Sequence, residues 1–144
     1  MPDQTQAAAH AMSQVAHTFA PWVADLDLKL VKTDTSQSIL LLPENSRMQL
    51  RGGPGAGVIC GQAIASVADT ACVYALVGAN GRFRNCTTVD MSVRFIRPLT
   101  GVARVTVDIE SNGRKLAVCR VALRSEGSMK TAALATATFL YLED

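Results

Sequence analysis

The segment from Val58 to Val77 constrains the fold more than any other part of the chain, because it is apolar almost all round and rich in alanine. A helix that is apolar on every side must be enclosed by protein or by lipid. The segment also contains Asp69, and a membrane span rarely carries an unpartnered carboxylate. We therefore predict a buried helix at the centre of the protein.

The segments around this helix alternate between apolar and polar residues, which is typical of strands with one buried face. Six stretches show the pattern: 26–31, 38–42, 87–97, 102–110, 116–124 and 131–142. Residues 4–21 are alanine-rich and, with Phe19 and Trp22 at near-helical spacing, predict a short N-terminal helix. An antiparallel sheet must curl to cover a fully buried helix. The expected fold is therefore α+β: a single domain over residues 1–144, with a curled antiparallel sheet of five or six strands around one long helix.

Two details of local structure also follow from the sequence. Gly78, and then Asn80-Gly81, indicate the end of the long helix. In the strand that follows, strict alternation puts Val89 on the apolar face with Met91 and puts Thr88 on the opposite face.

Composition narrows the class of protein. The chain is 49% apolar and 18% charged, which is typical of a globular domain, and a net charge of +2 is too small to indicate a nucleic-acid partner. The first residues do not resemble a secretory signal. The four cysteines form no C-x-x-C pair. We therefore expect a cytoplasmic protein with reduced cysteines, no metal site and no membrane partner.

Asp69 is the main candidate for chemistry. A carboxylate among apolar neighbours must be paired, hydrogen-bonded or protonated, and such groups often mark functional sites. The alternative is a structural aspartate that only binds a loop or a neighbouring subunit. The helix follows a loop with four glycines and a proline over residues 51–57, and a helix N-terminus presents free N–H groups that suit an oxyanion. Gly61 lies two turns before Asp69, so a donor and a carboxylate could flank one reacting carbonyl.

Basic residues and histidines give weaker signals. Arg97 ends one strand, and Arg114 and Lys115 lie at a hairpin tip. These side chains could hold phosphate groups or could simply be solvated. The only histidines, His10 and His17, lie in the N-terminal segment, which disfavours hydrolases and dehydratases that use a histidine base.

Four segments carry a recognisable pattern: GVICGQAIASVADTA over 57–71, TTVDMSVRFIRP over 87–98, NGRKLAV over 112–118 and TATFL over 136–140. In this order and spacing they resemble the PaaI-like, or 4-hydroxybenzoyl-CoA-like, hotdog-fold thioesterases, over about residues 27–142. The resemblance implies a hotdog fold and hydrolysis of a small acyl-CoA or aryl-CoA thioester to free acid and CoA. It also implies dimers, or tetramers made of two dimers, with active sites at the subunit interface. CoA would be present only as part of the substrate, with no other cofactor.

The resemblance also assigns roles to residues. The family's catalytic aspartate falls on Asp69, as nucleophile or as general base for water. Gly61 keeps the glycine whose N–H would polarise the thioester carbonyl, and Thr88 falls where relatives carry a serine or threonine near the attacking water. The segments that tend to contact CoA in the family contain Arg97, Pro98, Arg114 and Lys115.

The chain departs from the family pattern just before the helix. Relatives usually have His-Gly-Gly where this sequence has Cys60-Gly61-Gln62. We expect Cys60 and Gln62 to line the substrate site, where Gln62 could supply a donor or narrow the pocket. Three alternatives stay open: a non-catalytic hotdog protein that binds or senses acyl-CoA, a module that serves only oligomerisation, and a hydratase, which the missing histidine disfavours.

Overall fold

Helix α2, Gly61–Asn80, occupies the centre of the protein in the computed structural model, which describes residues 4–143. Twelve of its residues are buried, and it contacts every strand of the sheet. Within residues 4–143, α2 is the one helix long and apolar enough to cross a membrane, but 61% of its most apolar window is buried inside the fold. The prediction of a central, enclosed helix is confirmed.

Six antiparallel strands form the sheet that covers α2. Their bounds are β1 Lys29–Thr33, β2 Gln37–Leu42, β3 Cys86–Phe95, β4 Ala103–Asn112, β5 Leu116–Ser125 and β6 Ala133–Tyr141. The strands lie in the order β1-β2-β4-β5-β6-β3, so that β1 and β3 are the edges. In β4, Ala103, Val105 and Val107 are fully buried and the residues between them are not. The period of two thus determines which face meets the helix, and the predicted α+β fold is confirmed with six strands.

The N-terminal segment differs from the single helix predicted over residues 4–21. Helix α1, Gln4–Val15, ends earlier, and a 3-10 helix follows at Pro21–Leu26. Pro21 stands at the start of that helix, where its missing N–H costs nothing. The ring of Phe19 packs edge-on against Tyr74 of α2, with centroids 5.6 Å apart. This contact holds the connecting segment, and the 3-10 helix that carries Trp22, beside α2.

Of the two predicted signals for the end of α2, Asn80-Gly81 is confirmed and Gly78 is wrong. Gly78 is buried inside the helix, and an added Cβ would lie 2.1 Å from Oγ1 of Thr33 at the end of β1. Thr33 is buried as well and shares a hydrogen bond of 2.6 Å with the hydroxyl of Ser38. The helix ends at Asn80, and Gly81 follows with a left-handed φ of 71°. Gly78 is therefore needed for close packing, and Gly81 for the change of chain direction.

Strand β3 departs from strict alternation at Val89. Thr88 and Asp90 pair with successive residues of β6, so Val89 has no partner in the ladder and forms a β-bulge. Because of the extra residue, Thr88 and Met91 face the same way, toward α2 and the core. Val89 is 52% exposed. The predicted faces of β3 are therefore wrong at Val89 and Thr88.

Candidate active site

Asp69 and Thr88 form a hydrogen-bonded pair between α2 and β3. The Thr88 hydroxyl, Oγ1, donates to carboxylate oxygen Oδ1 of Asp69 over 2.6 Å. The bulge at Val89 allows this contact because it keeps Thr88 on the inward face of the strand. Both side chains are half-buried, so the carboxylate has a protein partner and remains accessible. The structure thus brings together two of the three residues to which the family resemblance assigns catalysis.

A cavity of about 300 Å³ opens beside this pair. We call it the Asp69 cavity, and its lining residues are Phe19, Trp22, Val23, Ser66, Asp69, Thr70, Val73, Cys86, Thr87 and Thr88. The N-terminal segment supplies one wall, which is apolar and largely aromatic. A mostly apolar pocket with a few convergent polar groups is typical of small-molecule sites.

Cysteine chemistry is disfavoured in this cavity. Burial and the nearby Asp69 carboxylate raise the pKa of the Cys86 thiol, so the reactive thiolate is scarce at neutral pH. The hydrogen bond with Cys119, together with burial, raises the pKa of Cys72 well above its ordinary value. Residues 4–143 contain no group of three or more His, Cys, Asp or Glu side chains placed to hold a metal ion. The chemistry that this cavity offers is therefore that of a carboxylate.

Gly61, the third residue to which the resemblance assigns catalysis, is the first residue of α2. The first hydrogen bond at this end runs from the Ile64 N–H to the Cys60 carbonyl, and no side chain caps the helix. The N–H groups of the first turn therefore lack intrahelical partners, and the helix dipole makes this end positive. A Cβ at Gly61 would lie 3.3 Å from the Phe95 ring. The glycine thus lets Phe95 lie against the start of the helix.

Gly61 opens onto a groove of about 290 Å³. We call it the Gly61 groove, and its lining residues are Leu50, Val58, Ile59, Gly61, Ile64, Phe95, Ile96, Arg97, Pro98 and Leu99. Arg97 is exposed at the groove, where its Nη1 donates to the backbone carbonyl of Thr131 over 2.6 Å. Two of the predicted CoA-binding residues, Arg97 and Pro98, therefore lie beside the predicted oxyanion donor.

Gly61 and Asp69 do not share a cavity within one chain. Eight residues of α-helix span about 12 Å, and the two residues line separate cavities. An oxyanion donor must lie about 3 Å from the reacting oxygen, and a base or nucleophile must lie equally close to the reaction centre. Within a single chain the two groups are too far apart to flank one carbonyl. The sequence also allows the two groups to come from different subunits, and that alternative remains a prediction.

Cys60 and Gln62 line a third cavity, of about 320 Å³. We call it the Gln62 cavity, and its lining residues are Trp22, Asp25, Leu26, Asn45, Arg47, Met48, Cys60, Gln62, Ala63 and Ser66. Trp22 and Ser66 also line the Asp69 cavity, so the two cavities are neighbours. The predicted substrate-binding residues Cys60 and Gln62 thus line a cavity that adjoins the Asp69 cavity at Trp22 and Ser66.

The remaining predicted CoA-binding residues, Arg114 and Lys115, lie at the opposite end of α2. Asn112, just before them, donates through Nδ2 to Oδ1 of Asn80, the last residue of the helix, over 2.9 Å. Nζ of Lys115 donates to the backbone carbonyl of Glu143 over 3.3 Å. Along the helix, Asn80 is about 28 Å from Gly61 and about 16 Å from Asp69. Arg97 therefore lies at one end of α2, and Arg114 and Lys115 lie at the other end, with Asp69 between them.

Of the ten residues that line the Asp69 cavity, the sequence predicted only Asp69 and Thr88 as site residues. Ser66 precedes Asp69 by three positions, so helical spacing alone indicates that both lie on one face. Phe19 and Trp22 offered no such signal, because an irregular segment brings them to α2 from far away in the chain.

A six-stranded sheet curled around one long helix is the hotdog fold, and solved structures match it over nearly the whole chain. Mouse thioesterase superfamily member 2 is 20% identical, with a TM-score of 0.80 over 97% of this chain and 98% of that one. The PaaI protein of the E. coli phenylacetic acid degradation operon is 17% identical, with a TM-score of 0.77 over 98% and 97%. A thioesterase family protein from Silicibacter pomeroyi is 20% identical, with a TM-score of 0.78 over 95% and 99%. At these identities the likeness shows the fold, and no match was found among curated proteins.

A family model identifies the chain more specifically. The model described as the thioesterase superfamily matches residues 56–132, just over half of the chain. The matched region includes Gly61, Asp69, Thr88 and Arg97. The chain therefore belongs to the thioesterase superfamily, and the family resemblance seen in the sequence is confirmed.

Proposed function

We propose that this protein hydrolyses a small acyl-CoA or aryl-CoA thioester to the free acid and CoA, with Asp69 as its catalytic carboxylate. The observation that carries the proposal is the Asp69–Thr88 pair at the mouth of a largely apolar cavity. Thr88 occupies Oδ1, and Oδ2 has no hydrogen-bond partner among residues 4–143. One carboxylate oxygen is thus fixed while the other is free to react.

The free oxygen of Asp69 supports either of two routes. As a general base it takes a proton from water, whose oxygen attacks the thioester carbonyl carbon; the C–S bond then breaks and the CoA thiolate takes up the proton. As a nucleophile it attacks the carbonyl itself, expels the CoA thiolate and leaves a mixed anhydride that water hydrolyses. In both routes Thr88 positions Asp69, and negative charge develops on the carbonyl oxygen.

We propose that the oxyanion donor, the Gly61 N–H, comes from a second copy of the chain. Within one chain the donor lies about 12 Å from Asp69 along the helix. Strand β3, which carries Thr88, is an edge of the sheet, and an edge strand offers unpaired backbone groups to another strand. A two-fold dimer or a tetramer made of two dimers would supply both groups to each site.

The same arrangement suggests how the CoA part of the substrate is held. Arg97 and Pro98 lie beside Gly61 in the Gly61 groove, and Cys60 and Gln62 lie across the helix start in the Gln62 cavity. We propose Arg97 and Pro98, with Arg114 and Lys115, as the contacts for CoA, because arginine and lysine side chains suit its phosphate groups. Cys60 and Gln62 line the part of the substrate site next to the acyl group. No cofactor other than the CoA of the substrate is required by this chemistry.

Thiol release from a panel of short, medium, long and aromatic acyl-CoAs tests the proposal. Asp69→Asn should lower kcat/KM by about a hundredfold or more, the usual size for loss of a catalytic acid or base. Thr88→Ala should lower kcat by about tenfold, which corresponds to one hydrogen bond of about 1.4 kcal/mol, whereas Thr88→Ser should keep most of the activity. If wild type and Asp69→Asn are equally inert while CoA esters still raise the Tm, the protein is an acyl-CoA binder instead.

A further inference from the structure

Trp22 lies between the Asp69 cavity and the Gln62 cavity and lines both. Its side chain is 56% exposed, so the core does not fix the ring. The other residue common to both cavities is Ser66, a small side chain whose hydroxyl donates to the carbonyl of Gln62 within α2 over 2.9 Å. Trp22 is therefore the one large side chain that the linings of the two cavities share.

The two cavities differ in what they offer a ligand. The Asp69 cavity, at about 300 Å³, is at the lower end of the size range of small-molecule pockets, and Phe19, Trp22 and Val73 give it apolar walls. The Gln62 cavity adds about 320 Å³ beyond Trp22, with Leu26 and Met48 among its lining residues. Its lining also includes polar residues, Asp25, Asn45, Arg47 and Gln62. An acyl chain that passed Trp22 would therefore enter further space, in which Leu26 and Met48 are the main apolar contacts.

We propose that Trp22 limits the length of the acyl group, so that the enzyme selects thioesters of short or single-ring acids. This inference rests on the proposed function, because it requires the thioester carbonyl to lie at Asp69. An acyl group that extends from the carbonyl into the Asp69 cavity meets the face or edge of the indole ring. A flat ring or a short chain packs there with favourable aromatic or apolar contact, and a longer chain is stopped.

The proposal makes Trp22 a specificity-determining residue rather than a catalytic one. Its removal should join the two cavities and admit longer chains, while the Asp69–Thr88 pair stays intact. One additional methylene in an apolar pocket changes kcat/KM by about tenfold or more. Replacing Trp22 should therefore change the order of kcat/KM values among the substrates of the panel.

Binding provides a test that needs no turnover, because Trp22 is the only tryptophan in the chain. The Asp69→Asn variant is titrated with butyryl-CoA, benzoyl-CoA and free CoA, with selective excitation of tryptophan and calorimetry in parallel. The two esters should shift the emission of Trp22, and free CoA should bind without shifting it. The inference is overturned if esters bind by calorimetry but leave the emission unchanged, or if free CoA shifts it equally.

Hydrolysis provides the second test. Trp22→Ala should raise kcat/KM for octanoyl-CoA relative to butyryl-CoA by about tenfold or more, and Trp22→Phe, the matched control that retains a ring, should keep the wild-type order. A uniform loss across the panel, or a wild type that already prefers octanoyl-CoA, would overturn the inference. The proposed function is judged separately by Asp69→Asn, so hydrolysis without a Trp22 effect removes the inference and leaves the proposed function standing.

Discussion

Asp69 is the only charged residue of α2, and its surroundings explain how the core helix tolerates it. Thr88 donates to one carboxylate oxygen, and the adjoining cavity leaves the group half-buried rather than sealed. Desolvating an unpaired carboxylate would cost several kcal/mol, so both features are needed for the fold as well as for any chemistry.

At the residue scale, Gly61→Pro should remove the proposed oxyanion donor without breaking α2. Proline is favoured at the first helical position, where the N–H has no intrahelical partner, and Cys60 already has the extended conformation that a following proline requires, φ −68° and ψ 153°. We expect kcat to fall by about a hundredfold. Gly61→Ala is the control, since it adds the same contact with Phe95 but keeps the N–H. Equal activity in the two variants would contradict the role of the donor.

Also at the residue scale, Asp34 should make stability depend on acid pH. Its Oδ1 accepts from the backbone N–H groups of Ser36 and Gln37, which lowers the pKa of Asp34 below its ordinary value of 3.8. A lowered pKa in the folded state means that the contribution is fully present above pH 3.8 and is lost as the pH falls through the folded value. Urea unfolding should show Asp34→Ala less stable than wild type at pH 7, with a gap that narrows toward pH 2. A gap of constant size would contradict this assignment.

Single residues show what sequence can and cannot reveal about the site. Asp69 stands out because a charge in an apolar helix needs an explanation, and Gly61 stands out because it begins that helix. Trp22 gives no comparable signal, since its place beside Asp69 depends on the path of the chain between α1 and β1. Local pattern identifies chemically unusual residues, but only the fold shows which other residues surround them.

At the element scale, α2 and β3 show what the apolar pattern of a sequence predicts about an element and what it does not. The helix was predictable because a segment that is apolar on every side must be enclosed. Its end was given by Asn80-Gly81 but not by Gly78, because glycine serves both close packing and chain reversal. In β3 the bulge at Val89 adds one residue to the strand. In sequence the strand alternates without a break from Val89 to Phe95, so the pattern does not reveal where the register changes.

The close packing of Gly78 against Thr33 leads to a prediction about the stability of the protein. Gly78→Ala should lower the free energy of unfolding by about 1–3 kcal/mol, because its Cβ would overlap Oγ1 of Thr33. Adding Thr33→Ala should recover part of that loss, measured by urea denaturation relative to Thr33→Ala alone. Gly81→Ala is the control: it should cost about 1 kcal/mol through its left-handed φ, and Thr33→Ala should not rescue it. A Gly78→Ala variant as stable as wild type would show that α2 can move away from the hairpin.

At the scale of the whole molecule, the proposed function gives one chain two half-sites rather than one complete site. Asp69 and Thr88 lie at one cavity, and Gly61 lies at another with Arg97 and Pro98. The sequence supplies the residues of both halves and, through their spacing on one predicted helix, the distance between them. Only the structure shows that they line separate cavities.

Mixing two inactive variants tests this division directly. If Asp69→Asn and Gly61→Pro chains are unfolded together and refolded, half of the dimers should be mixed, and each mixed dimer should contain one intact site. We therefore expect recovery of about a quarter of wild-type activity. A mixture of Asp69→Asn with Asp69→Ala should recover none. Failure of the first mixture, with mixed dimers confirmed by mass spectrometry, would contradict a site shared between chains.

The spacing of eight residues between Gly61 and Asp69 is constrained by packing as well as by chemistry. Inserting or removing one residue between them would rotate Asp69 by about 100° around the helix axis, and would turn core residues such as Ile64 and Val67 away from their neighbours. Selection that only keeps the protein folded therefore preserves this spacing too. Even if the proposed hydrolysis were lost, the packing of α2 alone would keep Gly61 and Asp69 in their present relation.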